Sequence, residues 1–290
     1  MTQSGAQGCT LLLAGCGKMG GAMLDGWLKA GIASSVAVVE PSGLPESLRG
    51  NPAVVLVSGP DALPAGFAPD VVVLAVKPQV MDTVLPAYRA LVRPGTVFLS
   101  VAAGKTIASF ESALGESALG ESALGKSALG EGAAIVRSMP NTPAAIGRGM
   151  TVAVGNPVVT EAQKALCDSL LRAVGDVAWV EDESLLDPVT AVSGSGPAYV
   201  FLMVEAMAKA GEAAGLPAEL AMRLARATVA GAGELLHQSP TDAADLRKAV
   251  TSPNGTTQAA LDVLMAGDGI QPLLDRAVAA AARRSRELAK

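Results

Sequence analysis

The chain has 290 residues, half of them apolar and 17% charged, with a net charge of −5. That size sets an expectation of about two domains, and the abundance of Leu, Ile and Val excludes a disordered chain. Arg283-Arg284 is the strongest basic cluster, too little for a nucleic-acid surface, and no apolar run approaches the roughly 18 residues of a spanning helix.

One histidine, His237, and three scattered cysteines (Cys9, Cys16, Cys167) lack the spacing of a metal site or a disulfide framework. Met1 to Gly8 carries no positive charge, so no secretory leader is expected. The expectation is a cytoplasmic protein without a metal, binding neither nucleic acid nor membrane.

Thr10 to Ala14 (TLLLA) predicts a buried strand, followed by Gly15 to Gly20 (GCGKMG). From Gly21 a helix is expected, with Met23, Leu24, Trp27 and Leu28 on one face and Gly31 as its stop. Further apolar runs follow at Val36–Val39, Val54–Val57, Val71–Val76, Val97–Val101 and Ala134–Val136. Continuous apolar strands alternating with helical or loop segments predict a parallel sheet covered on both faces. Two more strands, Thr151–Val154 and Val177–Val180, bracket a helix that Thr160 and Gln163 should cap as a T-x-x-Q box.

Glu111 to Gly130 is four copies of a pentapeptide, three ESALG and one KSALG. Five residues advance a helix by about 500°, so successive leucines step round by roughly 140° and form no single stripe. A glycine in each copy costs a further ~1 kcal/mol within a helix. The block is expected to be an exposed, mobile excursion from a crossover connection. Its closure cost is small, because that cost grows only logarithmically with length.

Past Glu181 the pattern becomes helical to Lys290, with Pro197 and Pro217 at helix starts and Gly267-Asp268-Gly269 as a late break. The acidic connector Glu181–Asp187 sets a boundary between residues 1–182 and 183–290. Val200 to Met207 is apolar on more than one helical face, which predicts contact with a second subunit. Met203, Met207 and Met222 are expected as core or interface fillers, and His237 near a helix end.

The chemistry-bearing residues begin with Gly15, Gly17 and Gly20 in G-x-G-x-x-G spacing after a strand and before a helix. In that context the glycines allow a tight turn, approach of a pyrophosphate, and close helix–strand packing. Glu40 closes the next strand, where an acidic residue would bond an adenosine ribose. Ser42, Ser47 and Arg49 just beyond it leave the choice between NADH and NADPH open. Ala75-Val76-Lys77-Pro78, Ala102-Ala103-Gly104 and Asn141 follow later strands, at the end of an α/β sheet where ligands bind. The candidate cofactor set is therefore Gly15, Gly17, Lys18, Met19, Gly20, Glu40, Ser42, Ala75, Val76, Lys77, Pro78, Ala102, Ala103, Gly104 and Asn141. In the helical half, TSPNGTT (Thr251–Thr257) leads into a helix whose first amides suit either a carboxylate or an ordinary N-cap.

Together GCGKMG, AVKPQ, SVAAGKT, RSMPNTPA, SGSGPAYVF, DLRKAVTSPNGTTQAALDVL and the closing RRSREL resemble pyrroline-5-carboxylate reductases over nearly the whole chain. The resemblance implies an N-terminal α/β Rossmann-like domain, then an all-α dimerisation domain, with dimers assembled into decamers. It implies reduction of 1-pyrroline-5-carboxylate to L-proline with NADPH or NADH, the last step of proline synthesis. It places the substrate carboxylate at the loop containing Ser252, Pro253, Gly255, Thr256 and Thr257, with Thr257 the catalytic candidate toward the ring nitrogen. Two features depart from the family pattern: the lengthened repeat, and Asn254 where a second glycine is common.

Two other readings compete. A dehydrogenase of the β-hydroxy acid type needs a helical lysine, and neither Lys209 nor Lys248 has the supporting Asn four residues on. A non-catalytic dinucleotide sensor or assembly scaffold would be favoured if the repeat block displaced the crossover and disabled the cofactor cleft.

Overall fold

The computed structural model describes residues 8–115 and 132–288. The chain divides into two compact units, residues 1–194 with 282–290, and residues 195–281.

The first unit holds an eight-stranded sheet of order β3-β2-β1-β4-β5-β6-β7-β8. Its strands are β1 (Cys9–Ala14), β2 (Ala33–Val39), β3 (Val54–Val57), β4 (Val71–Leu74), β5 (Val97–Ser100), β6 (Ala134–Met139), β7 (Gly149–Gly155) and β8 (Gly175–Trp179). Between them run α1 (Lys18–Lys29), α2 (Pro78–Val84), α3 (Ile107–Leu114) and α4 (Glu161–Arg172).

Leu11 to Ala14 and Val71 to Leu74 are fully buried. Alternate residues serve opposite faces. Leu11, Leu13, Val71 and Val73 pack with Met23, Leu24 and Trp27 of α1, while Leu12, Val72 and Leu74 pack with Met81, Phe98 and Phe110. Burial on both faces is what the unbroken apolar runs require. The indole Nε1–H of Trp27 donates to Leu170 O at 2.8 Å, fixing α1 to α4.

Three expectations are corrected. The sheet is not wholly parallel: β6 and β7 pair antiparallel. The short stretch between Met139 and Gly149 cannot make the crossover of a dozen or more residues that a parallel pair needs. The first helix starts at Lys18 rather than Gly21, because Gly17 takes the extended N-cap position. The run Val71–Val76 pairs only to Leu74, and Ala75 already turns beneath the glycine loop. The T-x-x-Q box is present at Thr160 and Gln163.

The acidic connector is folded against the first unit. Leu186, in α5 (Leu186–Val189), is fully buried. Glu183 accepts from Arg137 Nη1 at 2.7 Å and from the Ile107 amide at 2.8 Å. Arg137 is itself buried, and this pairing satisfies its charge. The first pentapeptide copy supplies the end of α3. Leu114 is fully buried, and Gly115 at φ +70° closes the helix. The other three copies, for which an exposed excursion is expected, lie outside the described residues.

The second unit contains α6 (Gly196–Ala213), α7 (Ala218–Gln238), α8 (Ala243–Ala249), α9 (Thr256–Leu264) and most of α10 (Ile270–Leu288). Pro197 lies in the first turn of α6, Pro217 caps α7, and His237 sits in the last turn of α7. Ala208, Ala221 and Ala225 are the residues of α6 and α7 that become buried. Phe201 and Leu202 are each 63% exposed, and Met203, Met207 and Met222 are exposed too. The single chain therefore leaves the apolar faces of α6 uncovered.

Candidate functional site

The glycine loop links β1 to α1. Gly15 has φ +91°, and a Cβ there would lie 2.7 Å from Ala75 O. A Cβ on Gly20 would lie 2.1 Å from Gly15 O and 3.3 Å from Ala75 Cβ. Ala75 thus forms the floor on which the loop rests. Gly17 differs, because a Cβ there meets nothing within 4 Å. The exposed backbone at Gly17 is a space that a pyrophosphate can enter, next to the N-terminus of α1, and these residues fit a dinucleotide. Lys18 and Met19 form the first turn of that helix, Lys18 exposed and Met19 half-buried.

Glu40 follows β2 directly. Its Oε2 accepts from the Cys16 amide at 2.8 Å, and its Oε1 accepts from the Ser42 amide at 3.1 Å. Burial works to raise its pKa. The hydrogen bonds from Cys16 and Ser42 outweigh that and hold the carboxyl below its ordinary value. A groove of about 380 Å³ lined by Glu40, Pro41, Leu56, Val57 and Ser58 opens beside it. Burial and the Glu40 charge push the Cys16 thiol upward, away from the reactive thiolate.

The other loops follow later strands. Lys77 is exposed and caps α2, with Pro78 in the first turn; Val76 is half-buried. Ala102 is buried, with its amide donating to Ser100 Oγ at 3.2 Å. Ala103 is half-buried, and a side chain at Gly104 would meet Leu288 O at 3.2 Å. Lys105 pairs with Asp82 at 2.7 Å, tying this loop to α2. Asn141 is engaged within its own unit. Its Nδ2 donates to Ser193 O at 3.3 Å and Ser193 Oγ at 3.2 Å, and its Oδ1 accepts from the Met150 amide at 2.9 Å.

In the second unit, Ser252 to Gly255 form a turn in which the Gly255 amide donates to Ser252 O at 3.0 Å. Gly255 is the extended N-cap of α9, without a side-chain cap, and Thr256 and Thr257 begin the helix. First-turn amides of a helix have no intrahelical acceptor, so they are free to meet an anion. Ser252, Pro253 and Thr256 are exposed, and Thr257 is half-buried. Asn254 has φ +58°, the one non-glycine residue at positive φ among the described residues. The position demands a left-handed backbone, which Asn tolerates better than most residues.

Two parts of this framework were not anticipated from sequence: the Glu40 contact with the glycine loop, and the Arg137–Glu183 pair. Each joins residues far apart in the chain, and no local spacing announces it. Among the described residues no cluster of His, Cys, Asp and Glu could hold a metal ion. No helix among them is long and apolar enough to cross a membrane.

Comparison with known proteins agrees across both halves. Residues 183–288 match the model of the pyrroline-5-carboxylate reductase dimerisation family, and residues 10–104 match that of the coenzyme F420-dependent NADP oxidoreductases. The chain is 43% identical to the pyrroline-5-carboxylate reductase of Pseudomonas aeruginosa, over 76% of this chain and 75% of that protein. The Coxiella burnetii pyrroline-5-carboxylate reductase structure superposes with a TM-score of 0.84 at 32% identity, covering 97% of this chain and 99% of that one. The Plasmodium falciparum pyrroline carboxylate reductase, solved with NADP bound, gives 0.75 at 27% identity, covering 99% and 100%. With identity this high over most of both sequences, the chain belongs to the pyrroline-5-carboxylate reductase family, whose members are NAD(P)H-dependent oxidoreductases.

Proposed function

We propose that this chain reduces 1-pyrroline-5-carboxylate to L-proline at the expense of NADPH or NADH, the closing step of proline synthesis. The observation that carries the reading is the uncovered backbone of Gly17 at a strand–helix junction, in a chain of this family. A reduced nicotinamide, when bound, supplies the hydride.

The protein's own residues bind and orient. Gly15, Gly17, Lys18, Met19 and Gly20 offer backbone and helix N-terminus to the pyrophosphate, and Glu40 and Ser42 face the adenosine side. Ala75 to Pro78, Ala102 to Gly104 and Asn141 shape the nicotinamide side. The Asn141 amide is occupied by Ser193 and Met150, so its share is to brace the loop.

Ser252, Pro253, Gly255, Thr256 and Thr257 hold the substrate carboxylate on the first amides of α9. The Thr257 hydroxyl donates to the ring nitrogen as it becomes an amine. A protonated cyclic imine already accepts hydride readily, so placement carries most of the rate, and placement can be worth about 7–11 kcal/mol.

Residues 1–182 form the nucleotide domain and 183–290 the substrate and dimerisation domain in this reading. The uncovered faces of α6 meet a second copy, with dimers assembling into decamers in the cytoplasm. Neither nucleic acid nor membrane is a partner.

Purified protein supplied with 1-pyrroline-5-carboxylate and either cofactor tests the activity. The expected result is one proline for each cofactor oxidised. Tight cofactor binding with no proline formed would favour the non-catalytic sensor. The β-hydroxy acid reading has no helical lysine with its asparagine to support it.

A further inference from the structure

We infer that Glu40 makes this chain discriminate in favour of NADH and against NADPH. The inference rests on the cofactor reading above and gives it a direction. Three observations at the end of β2 carry it.

First, both oxygens of the Glu40 carboxylate already accept one backbone hydrogen bond, from Cys16 at 2.8 Å and from Ser42 at 3.1 Å. The side chain is therefore held in place from two sides, one of them the glycine loop itself. Each carboxylate oxygen keeps further lone-pair capacity, which a ribose hydroxyl can fill as a donor. A 2′-phosphate near neutral pH has little or no proton to donate, so it gains no such bond and meets a like charge instead.

Second, two backbone donors at this strand end, the Cys16 and Ser42 amides, already serve Glu40, and one of the Arg49 donors is engaged locally, Nε donating to Leu44 O at 3.0 Å. Turning Glu40 aside to admit a phosphate would break two charge-assisted hydrogen bonds, which are stronger than neutral ones.

Third, Glu40 lines the roughly 380 Å³ groove with Pro41, Leu56, Val57 and Ser58. Among those five residues, Glu40 carries the one charged side chain. The ring of an adenine suits the apolar wall, and the carboxylate sets which ribose substituent is accepted.

The test is equilibrium binding by calorimetry on the full chain without substrate, using NADH and NADPH at low and high salt. Wild-type protein should bind NADH at least about tenfold more tightly, a factor equivalent to about 1.4 kcal/mol. Raising the salt should narrow the gap by improving the relative affinity for NADPH, since screening weakens like-charge repulsion.

Glu40→Gln keeps an acceptor for the Cys16 amide and removes the charge, so the ratio should move toward NADPH by about tenfold, equivalent to about 1.4 kcal/mol. NADPH bound as tightly as NADH by the wild type, or an unchanged ratio in the variant, would overturn the inference. The wild-type ratio decides even if the variant fails to fold. NADPH preference with proline still produced sinks this inference alone, whereas binding of neither cofactor sinks the functional reading beneath it.

Discussion

The amide of Asn156 donates to the Glu111 carboxylate at 2.9 Å, across the base of the repeat block. The same Nδ2 donates to Ala133 O at 2.9 Å, and Oδ1 accepts from the Ile135 amide at 3.1 Å. Asn156 is buried, so one side chain fastens the chain where it enters the repeats and where it returns. Phe110 and Ile135, on either side, remain in the core. Removing two copies, Glu116 to Gly125, should therefore leave kcat unchanged. Stability should change by no more than roughly 0.6 kcal/mol, the closure cost of halving the length of chain between two fastened points. Asn156→Ala should cost about 1–3 kcal/mol by stranding buried polar groups. Denaturant melts of both variants check this, and a marked loss of stability on shortening would contradict it.

Two of the loop glycines, Gly17 and Gly20, should fail in different ways. Gly17→Ala meets no atom, so its thermal midpoint should match wild type while affinity for either cofactor falls. Gly20→Ala forces a methyl to within 2.1 Å of Gly15 O and should lower the midpoint itself. Calorimetric melting paired with cofactor titration separates the two effects. Equal damage to folding in both variants would contradict the geometry.

At Asn254, the left-handed backbone sets the order of substitutions. Asn254→Gly should be close to neutral, while Asn254→Ala should destabilise by about 1 kcal/mol, the lower end of the left-handed penalty for ordinary side chains. Urea midpoints of the two variants test the order, and equal values would show that this turn relaxes.

Thr257→Ala should lower kcat by about tenfold or more, equivalent to at least ~1.4 kcal/mol in the barrier, with cofactor affinity unaltered. Steady-state kinetics alongside cofactor titration are the measurement. Unchanged turnover would remove Thr257 from the chemistry.

Asp168 provides a pH signature in the fold. Burial tends to raise its pKa, but Trp179 Nε1–H at 3.0 Å and Arg172 at 2.7 Å dominate and hold it below its ordinary value of 3.8. A carboxyl depressed in the folded state adds stability that is complete above its unfolded pKa and is lost as pH falls through the folded one. Asp168→Asn should thus be less stable than wild type above pH 3.8, with the gap closing in more acid solution. A gap independent of pH would assign the effect to packing alone.

Much of the fold was legible because its signals are local. Apolar runs such as Val71–Leu74 mark strands buried on both faces, and Thr160 with Gln163 marks a helix start. The glycine loop was legible for the same reason, since its spacing and its flanking elements lie in one short stretch. The reversal of β7 was hidden because apolar alternation carries no strand direction; only the shortness of the 140–148 link hints at it. The grip of Glu40 on Cys16 and of Arg137 on Glu183 was invisible, since each forms only when distant strand ends meet. The uncovered Phe201 and Leu202 show the converse case, in which sequence called for burial that a single chain does not supply.

Isotope transfer tests the central claim most directly. The protein is given 1-pyrroline-5-carboxylate and NADH deuterated at the transferable nicotinamide position, and the proline is examined by mass spectrometry and NMR. The account predicts proline carrying one deuterium, at the former imine carbon. No proline, or proline whose new hydrogen comes from solvent, would contradict it.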